Sequence, residues 1–287
     1  MLFINMYMDL NSLNALLPKF WTAEKCGKHE GLASQHGMLL MKNLLVKPED
    51  LFEQLAKNTF TFQNFSKISW ADFLHRANLA EYLKPEYIND ALNVTTARPA
   101  IGKGEFLFAS CFANIGFSSG KGDLVDLRNN TRIEFKGIRS TLSGDGKEYK
   151  QMNRSLMYSV FSQFNTSTQF DHFNRDCGKD LDELLKHSPD KIETVLKMLQ
   201  NLSNENTKIA NMFGKLYRLK GNIFNTVGAM QLYTYMNLQK SSYLLMTNDQ
   251  GFCCFQKPEQ PIDAYNIVTN VKLSSWETGN RGMTIGI

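Results

Sequence analysis

The sequence predicts an α/β protein, a central sheet flanked by helices, and three observations predict it. One hairpin pattern runs from Gly120 to Gly137, and a second runs from Ser242 to Phe255. Apolar residues at helical spacing fill the chain before and between them. The 287 residues are 43% hydrophobic and 11% aromatic, which is ample for a core, and the length allows one large domain or two small ones. A boundary is read at 97/98, giving a helical N-terminal region over 1–97 and a core over 98–287 with a helical insertion at about 150–221.

The elements follow in order. Met1 to Met8 is apolar but lacks a basic start and a long apolar centre, so it is a poor export signal. Residues up to about Asn93 read as helical. Leu32, Leu39, Leu40, Leu44 and Leu45 recur at helical spacing. Pro48-Glu49-Asp50 places a proline and two acids where a helix start favours both. Ser69 reads as a cap for the run from Phe73, and Pro85 opens a further short helix. This set is either a helical cover for the core or a DNA-binding or docking element, and the residues do not choose.

Arg98-Pro99-Ala100 marks the boundary. Gly102-Lys103-Gly104-Glu105 then opens a segment, Phe106 to Ala113, that is apolar almost all round and reads as a buried helix. Its one acid, Glu105, falls in the first turn, where it at least complements the helix dipole. In the hairpin that follows, alternate side chains share a face. Glu134 and Lys136 therefore point one way, while Ile133 and Phe135 point into a core. Asp123 opens the neighbouring strand, and Arg128 to Thr131 is the turn. Charges beside a core are costly unless they are paired or metal-bound. A divalent cation fits between Asp123 and Glu134, with Lys136 beside it. Asp126 lies three positions from Asp123, faces the other side, and takes a structural or surface role. Arg139, Lys147, Lys150 and Arg154 follow in a Gly- and Ser-rich segment, as a phosphate track or an ordinary solvated loop.

Helical spacing returns over 180–187, 190–202 and 204–219, with Pro189 between the first two. Asp182, Glu183 and Lys186 read there as a solvated face. Val227 to Met236 forms a helix on which Gln231 and Tyr235 share a face. Ser242 to Thr247 is a strand, Asn248 to Gly251 a turn, and Phe252 to Phe255 the returning strand.

Other patterns fail on context. Gly116-Phe117-Ser118-Ser119-Gly120 has the spacing of a hydrolase nucleophile elbow, but that elbow sits between a strand and a helix; here a helix is expected before it and a strand after it. Gly116 to Lys121 is one residue short of a P-loop, and Gly122 stands where magnesium needs a hydroxyl. Cys26-Gly27-Lys28-His29 has no second pair to complete a zinc site. His36, His75, His172 and His187 are scattered, and Tyr233, Tyr235 and Tyr243 read as core or rim aromatics.

Asp, a short gap, then Glu-x-Lys on a second strand resembles the PD-(D/E)xK nuclease superfamily, with Gly122 in place of the proline that names the motif. Gly-Lys-Gly-Glu at the start of a buried helix resembles members found in phages, and Gln-x-x-x-Tyr on a later helix resembles the RecB-like and lambda-exonuclease-like branch. The likeness covers roughly Pro99 to Gly146 and Gly221 to Phe255. It implies a restriction-endonuclease-like mixed central sheet flanked by helices. It also implies metal-dependent hydrolysis of DNA, as a phage-encoded endonuclease leaving 5′-phosphate products. Asp123 and Glu134 would bind one or two Mg²⁺ or Mn²⁺ ions, Glu105 would contribute directly or through water, and the Phe135 carbonyl would add an oxygen. Lys136 would orient the attacking water or stabilise the transition state, and Gln231, supported by Tyr235, would hold the site or a nearby phosphate. A second reading is a non-catalytic structural or DNA-packaging virion protein that keeps the fold. An RNA-processing nuclease would share all these residues.

A net charge of +4 is compatible with a nucleic-acid partner without requiring one. The five cysteines are odd in number, and two are adjacent, which suits a reducing compartment better than a disulfide framework. No run approaches the length of a membrane span. The expectation is a cytoplasmic protein, in the host cell or in a virion, with the oligomeric state open and a homodimer included.

Overall fold

A computed structural model describes residues 10–94, 96–97, 100–102, 104–120, 122–137, 140–142, 154–200, 207–270, 275–279 and 282–286. The chain forms two compact units, the first built from Met1–Gly137 and Lys240–Gln256, the second from Ile138–Gln239 and Lys257–Ile287.

The first unit begins with helices α1 (Leu10–Phe20), α2 (Ala23–Cys26), α3 (Leu32–Asn43) and α4 (Pro48–Lys57). Strand β1 (Phe65–Ser69), a 3₁₀ turn, α5 (Phe73–Arg76) and α6 (Glu86–Leu92) come next, then the short strands β2 (Thr96–Ala97) and β3 (Ala100–Ile101). Helix α7 (Glu105–Cys111) leads into the antiparallel run β4 (Ile115–Phe117), β5 (Leu124–Asp126) and β6 (Thr131–Lys136). The chain returns to this unit with β8 (Tyr243–Thr247) and β9 (Gly251–Gln256), after β7 (Ser140–Thr141) of the second unit.

The sheet is mixed and six-stranded, in the order β1-β9-β8-β6-β5-β4. Only β6 and β8 are parallel, pairing Glu134 with Leu244 and Lys136 with Met246. Parallel neighbours need a crossover connection, and the chain from 138 to 239 supplies it. Leu13 and Leu17 of α1, Leu40 of α3, Leu51 of α4, Tyr87 of α6 and the α7 side chains share one apolar cluster with Ile133, Phe135, Leu245 and Phe252 of the sheet. Phe108 of α7 stands at its centre, edge-on to Phe73, Phe135 and Phe252 at centroid distances of 5.4, 5.6 and 5.0 Å. Rings at these distances add attraction beyond the burial of their area.

The second unit holds α8 (Arg154–Ser162), α9 (Arg175–His187), α10 (Ile192–Gln200), α11 (Thr207–Lys220), α12 (Ile223–Gln239) and α13 (Pro261–Asn270). Two further strands, β10 (Ser275–Gly279) and β11 (Gly282–Gly286), form a small antiparallel sheet with β7.

Three expectations need correction. The region up to Asn93 is not helical throughout, because Phe65–Ser69 pairs with β9 at the sheet edge; five residues are too few for periodicity to separate strand from helix. A strand, β4, precedes Ser118, but a strand also follows it, so the nucleophile-elbow geometry still fails. Packing also divides the chain differently from the 97/98 boundary. The N-terminal helices bury their apolar faces on the sheet itself, and the helices expected as an insertion share their unit with α12, α13 and the last strands. Lys103, Lys121, Arg139, Lys147 and Lys150 lie outside the described residues.

Candidate active site

The hairpin β5–β6 fixes the acids. Leu124 pairs with Ile133 in antiparallel register, and Asp123 and Glu134 lie one residue beyond that pair on the two chains. The Asp123 N–H donates to the Ile133 carbonyl at 3.0 Å, one residue out of the ladder's register, as at a β-bulge. The Asp123 side chain is held from the same strand, its Oδ2 accepting the Phe135 N–H at 2.8 Å. Two residues along, Lys136 Nζ meets Glu134 Oε1 at 2.7 Å. The Glu134 side chain is 6% exposed and that of Lys136 19%, so this ion pair is largely shielded from water.

Glu105 is the first residue of α7 and is buried. Two glycines make its placement workable. Gly104 has φ 94°, and a Cβ there would stand 2.9 Å from the Phe135 ring, so the helix start rests directly on β6. A Cβ at Gly102 would overlap the Glu105 carboxylate, which instead receives the Gly102 backbone N–H. The Gly-x-Gly-Glu pattern is therefore a cradle for a carboxylate.

Electrostatics bind these groups together. Burial, then the Asp123 charge, push the Glu105 pKa up to about 8, against the pull of the Gly102 N–H and Lys136. Burial, then the Glu134 charge, push Asp123 up to about 6, against Lys136, the Phe135 N–H and, least of the three, Lys28. The carboxylates are short of compensating positive charge. A cation bound among them would lower both pKa values.

The donor chemistry suits one class of ion. Among the described residues, no group of three or more His, Cys, Asp or Glu side chains is gathered as a ready metal cage. Mg²⁺ is commonly held by one or two carboxylates, water and substrate phosphate, without an all-protein cage. An Asp–Glu pair with a third acid close enough to shift its charge fits that pattern, and oxygen donors disfavour Zn²⁺.

Gln231 and Tyr235 are both buried on α12, in the second unit. Gln231 Nε2 donates to the Leu142 carbonyl at 2.5 Å. Asp126 is structural: it is buried and pairs with Arg128 Nη2 at 2.7 Å. His36 accepts the Trp21 indole N–H at 3.0 Å, and burial drives its pKa down to about 3. Arg154 lies exposed in the second unit.

Sequence reasoning missed Lys25. It is 2% exposed, and its Nζ donates to the carbonyls of Phe112, Ala113 and Ile115 at 2.6, 3.4 and 2.6 Å, closing the C-terminal end of α7. Its signal was thin, since Phe20, Trp21 and Lys25 lie together in the sequence and the lysine stands 4.4 Å from the Phe20 ring. Comparison with protein-family models, curated proteins and solved structures finds no match to this chain.

Proposed function

We propose that the chain is an Mg²⁺- or Mn²⁺-dependent nuclease that hydrolyses DNA phosphodiester bonds as an endonuclease. One observation carries the reading: Asp123, its Oδ2 bonded to the Phe135 N–H, and Glu134, bonded to Lys136, lie together at one end of the β5–β6 hairpin. The topology supports it. A buried helix with its acid at the start, an Asp strand, a Glu-x-Lys strand, a Gln-x-x-x-Tyr helix and a parallel strand occur in the order α7, β5, β6, α12, β8. That order is the one the resemblance to restriction-endonuclease-like nucleases calls for.

Asp123 and Glu134 would hold the ion, with Glu105 reaching it directly or through water and the Phe135 carbonyl adding an oxygen. When bound, such an ion supplies an activated water and neutralises charge on the leaving oxygen. The chain's own residues do the rest. The Phe135 N–H fixes the Asp123 carboxylate in orientation. The Gly102 N–H does the same for Glu105. Lys136 keeps an ammonium beside the acids, where it orients the attacking water and stabilises charge building on the phosphorane-like transition state.

Supercoiled plasmid, linear duplex and single strands incubated with Mg²⁺, Mn²⁺ or EDTA test the proposal. Nicking of closed plasmid with either metal and none in EDTA is expected. No cleavage of any DNA with either metal refutes it.

A further inference from the structure

A cavity of about 440 Å³ lies against the β5–β6 hairpin, lined by Val125 and Arg132, each two residues along its strand from Asp123 and Glu134. Arg132, Glu134 and Lys136 alternate along β6 and so share one face. Arg132 lines the cavity, together with the Ser119-Gly120 loop, Val125 and Glu24. Arg132 is half-buried, yet its guanidinium makes no hydrogen bond or ion pair among the described residues. The contrast with Arg128 and Arg218 is direct, since each of those is paired to a carboxylate at 2.7 Å. The Arg132 head is instead held over the loop, so that a methyl added at Gly120 would sit 3.9 Å from its Nη2.

A guanidinium is a planar fork of donors matched to two oxygens of a phosphate. Same-face neighbours on a strand lie about 6.7 Å apart, which is the scale of successive phosphates in a nucleic-acid strand. The volume is ample for one nucleotide. Glu24 adds an acceptor, which a sugar hydroxyl or a base amine can use and a bare phosphate cannot.

We infer that this cavity is a nucleotide subsite, in which Arg132 binds the phosphate next to the scissile one. It rests on the nuclease reading and extends it from a reaction to a mode of strand binding.

Anisotropy of a short fluorescein-labelled DNA oligonucleotide, titrated in EDTA over a salt series, tests it. Arg132→Ala should weaken binding about tenfold and lower the slope of log Kd against log salt by about one. Arg132→Lys should restore the slope but only part of the affinity, because the charge returns without the fork. A nucleoside 5′-monophosphate should compete better than inorganic phosphate, and should lose that advantage in Arg132→Ala. Equal competition by the two overturns the assignment of a whole nucleotide. Unchanged affinity and slope in Arg132→Ala, with plasmid still cut by the wild type, overturns the subsite alone. Plasmid never cut, with Arg132→Ala binding DNA more weakly, overturns the nuclease reading and leaves the subsite standing. Should Arg132→Ala fail to fold, Arg132→Gln keeps the aliphatic stem and carries the same expectation.

Discussion

Helix α7 has a buried charge at each end, and the two are treated in opposite ways. At the C-terminal end the Lys25 ammonium has three carbonyl acceptors for its three protons. Burial pulls its pKa down to about 7, and hydrogen bonds to carbonyl oxygens favour the charged form against that pull. At the N-terminal end Glu105 has one backbone donor, two acids for neighbours and only a lysine already paired to Glu134 for positive charge, and burial and these acids raise its pKa to about 8. One end is saturated by the chain and therefore structural. The other is left wanting positive charge, which fits the cation site proposed above.

The largest expected effect is at the saturated end. Lys25→Met keeps the stem but leaves buried carbonyls without a donor, and should cost about 3 kcal/mol or more in urea unfolding. Cleavage per folded molecule should not change. A loss of cleavage with stability intact would reverse the roles assigned to the two ends.

Lys136→Ala should still fold but should cut plasmid ~10²-fold more slowly or worse, as for loss of one transition-state contact. A rate within a factor of two of wild type would show that the ammonium serves only Glu134.

Glu105→Gln separates the two ends by sign. A carboxyl raised from 4.5 to about 8 on folding binds more protons in the folded state across that window. The metal-free wild type therefore loses stability as pH rises from about 4.5 to about 8, and Asp123, raised from 3.8 to about 6, adds to the loss over its own range. Glu105→Gln should remove its share, raising the melting temperature in EDTA at pH 8 by a few degrees, while most cleavage disappears. Full activity with a lower melting temperature would reduce Glu105 to a dipole partner and leave the hairpin as the whole site.

The smallest effect is expected from Arg128→Ala. Arg128 is 46% exposed, and Asp126 keeps the Arg128 backbone N–H as a donor. A loss of about 0.5–1 kcal/mol is expected from thermal melts, with cleavage unchanged. A larger loss would mean that the hairpin turn depends on this ion pair.

The hairpin was legible in the sequence because its logic is local. Period-two alternation puts Glu134 beside Lys136, and the tight turn brings the Asp123 end of the neighbouring strand back to them. Glu105 was legible because a lone acid opens an apolar helix. Lys25 was not, because its acceptors are backbone carbonyls 87 to 90 positions away, which any residue could supply. Strand β1 was too short to show a period, and nothing local to Arg132 told that the fold would set it over a cavity. Local chemistry was readable; long-range satisfaction of charge was not.

The central claim is that Asp123 and Glu134 are there for a cation. Calorimetric titration of the metal-free protein with Mn²⁺ tests it most directly. The wild type should bind in the low-millimolar to micromolar range, as expected for an open oxygen site. At pH 7 binding should release protons, because Glu105, raised to about 8, must lose its own to admit the ion. The Asp123→Asn, Glu134→Gln double variant should show no binding heat. Equal binding by the two proteins would contradict the account.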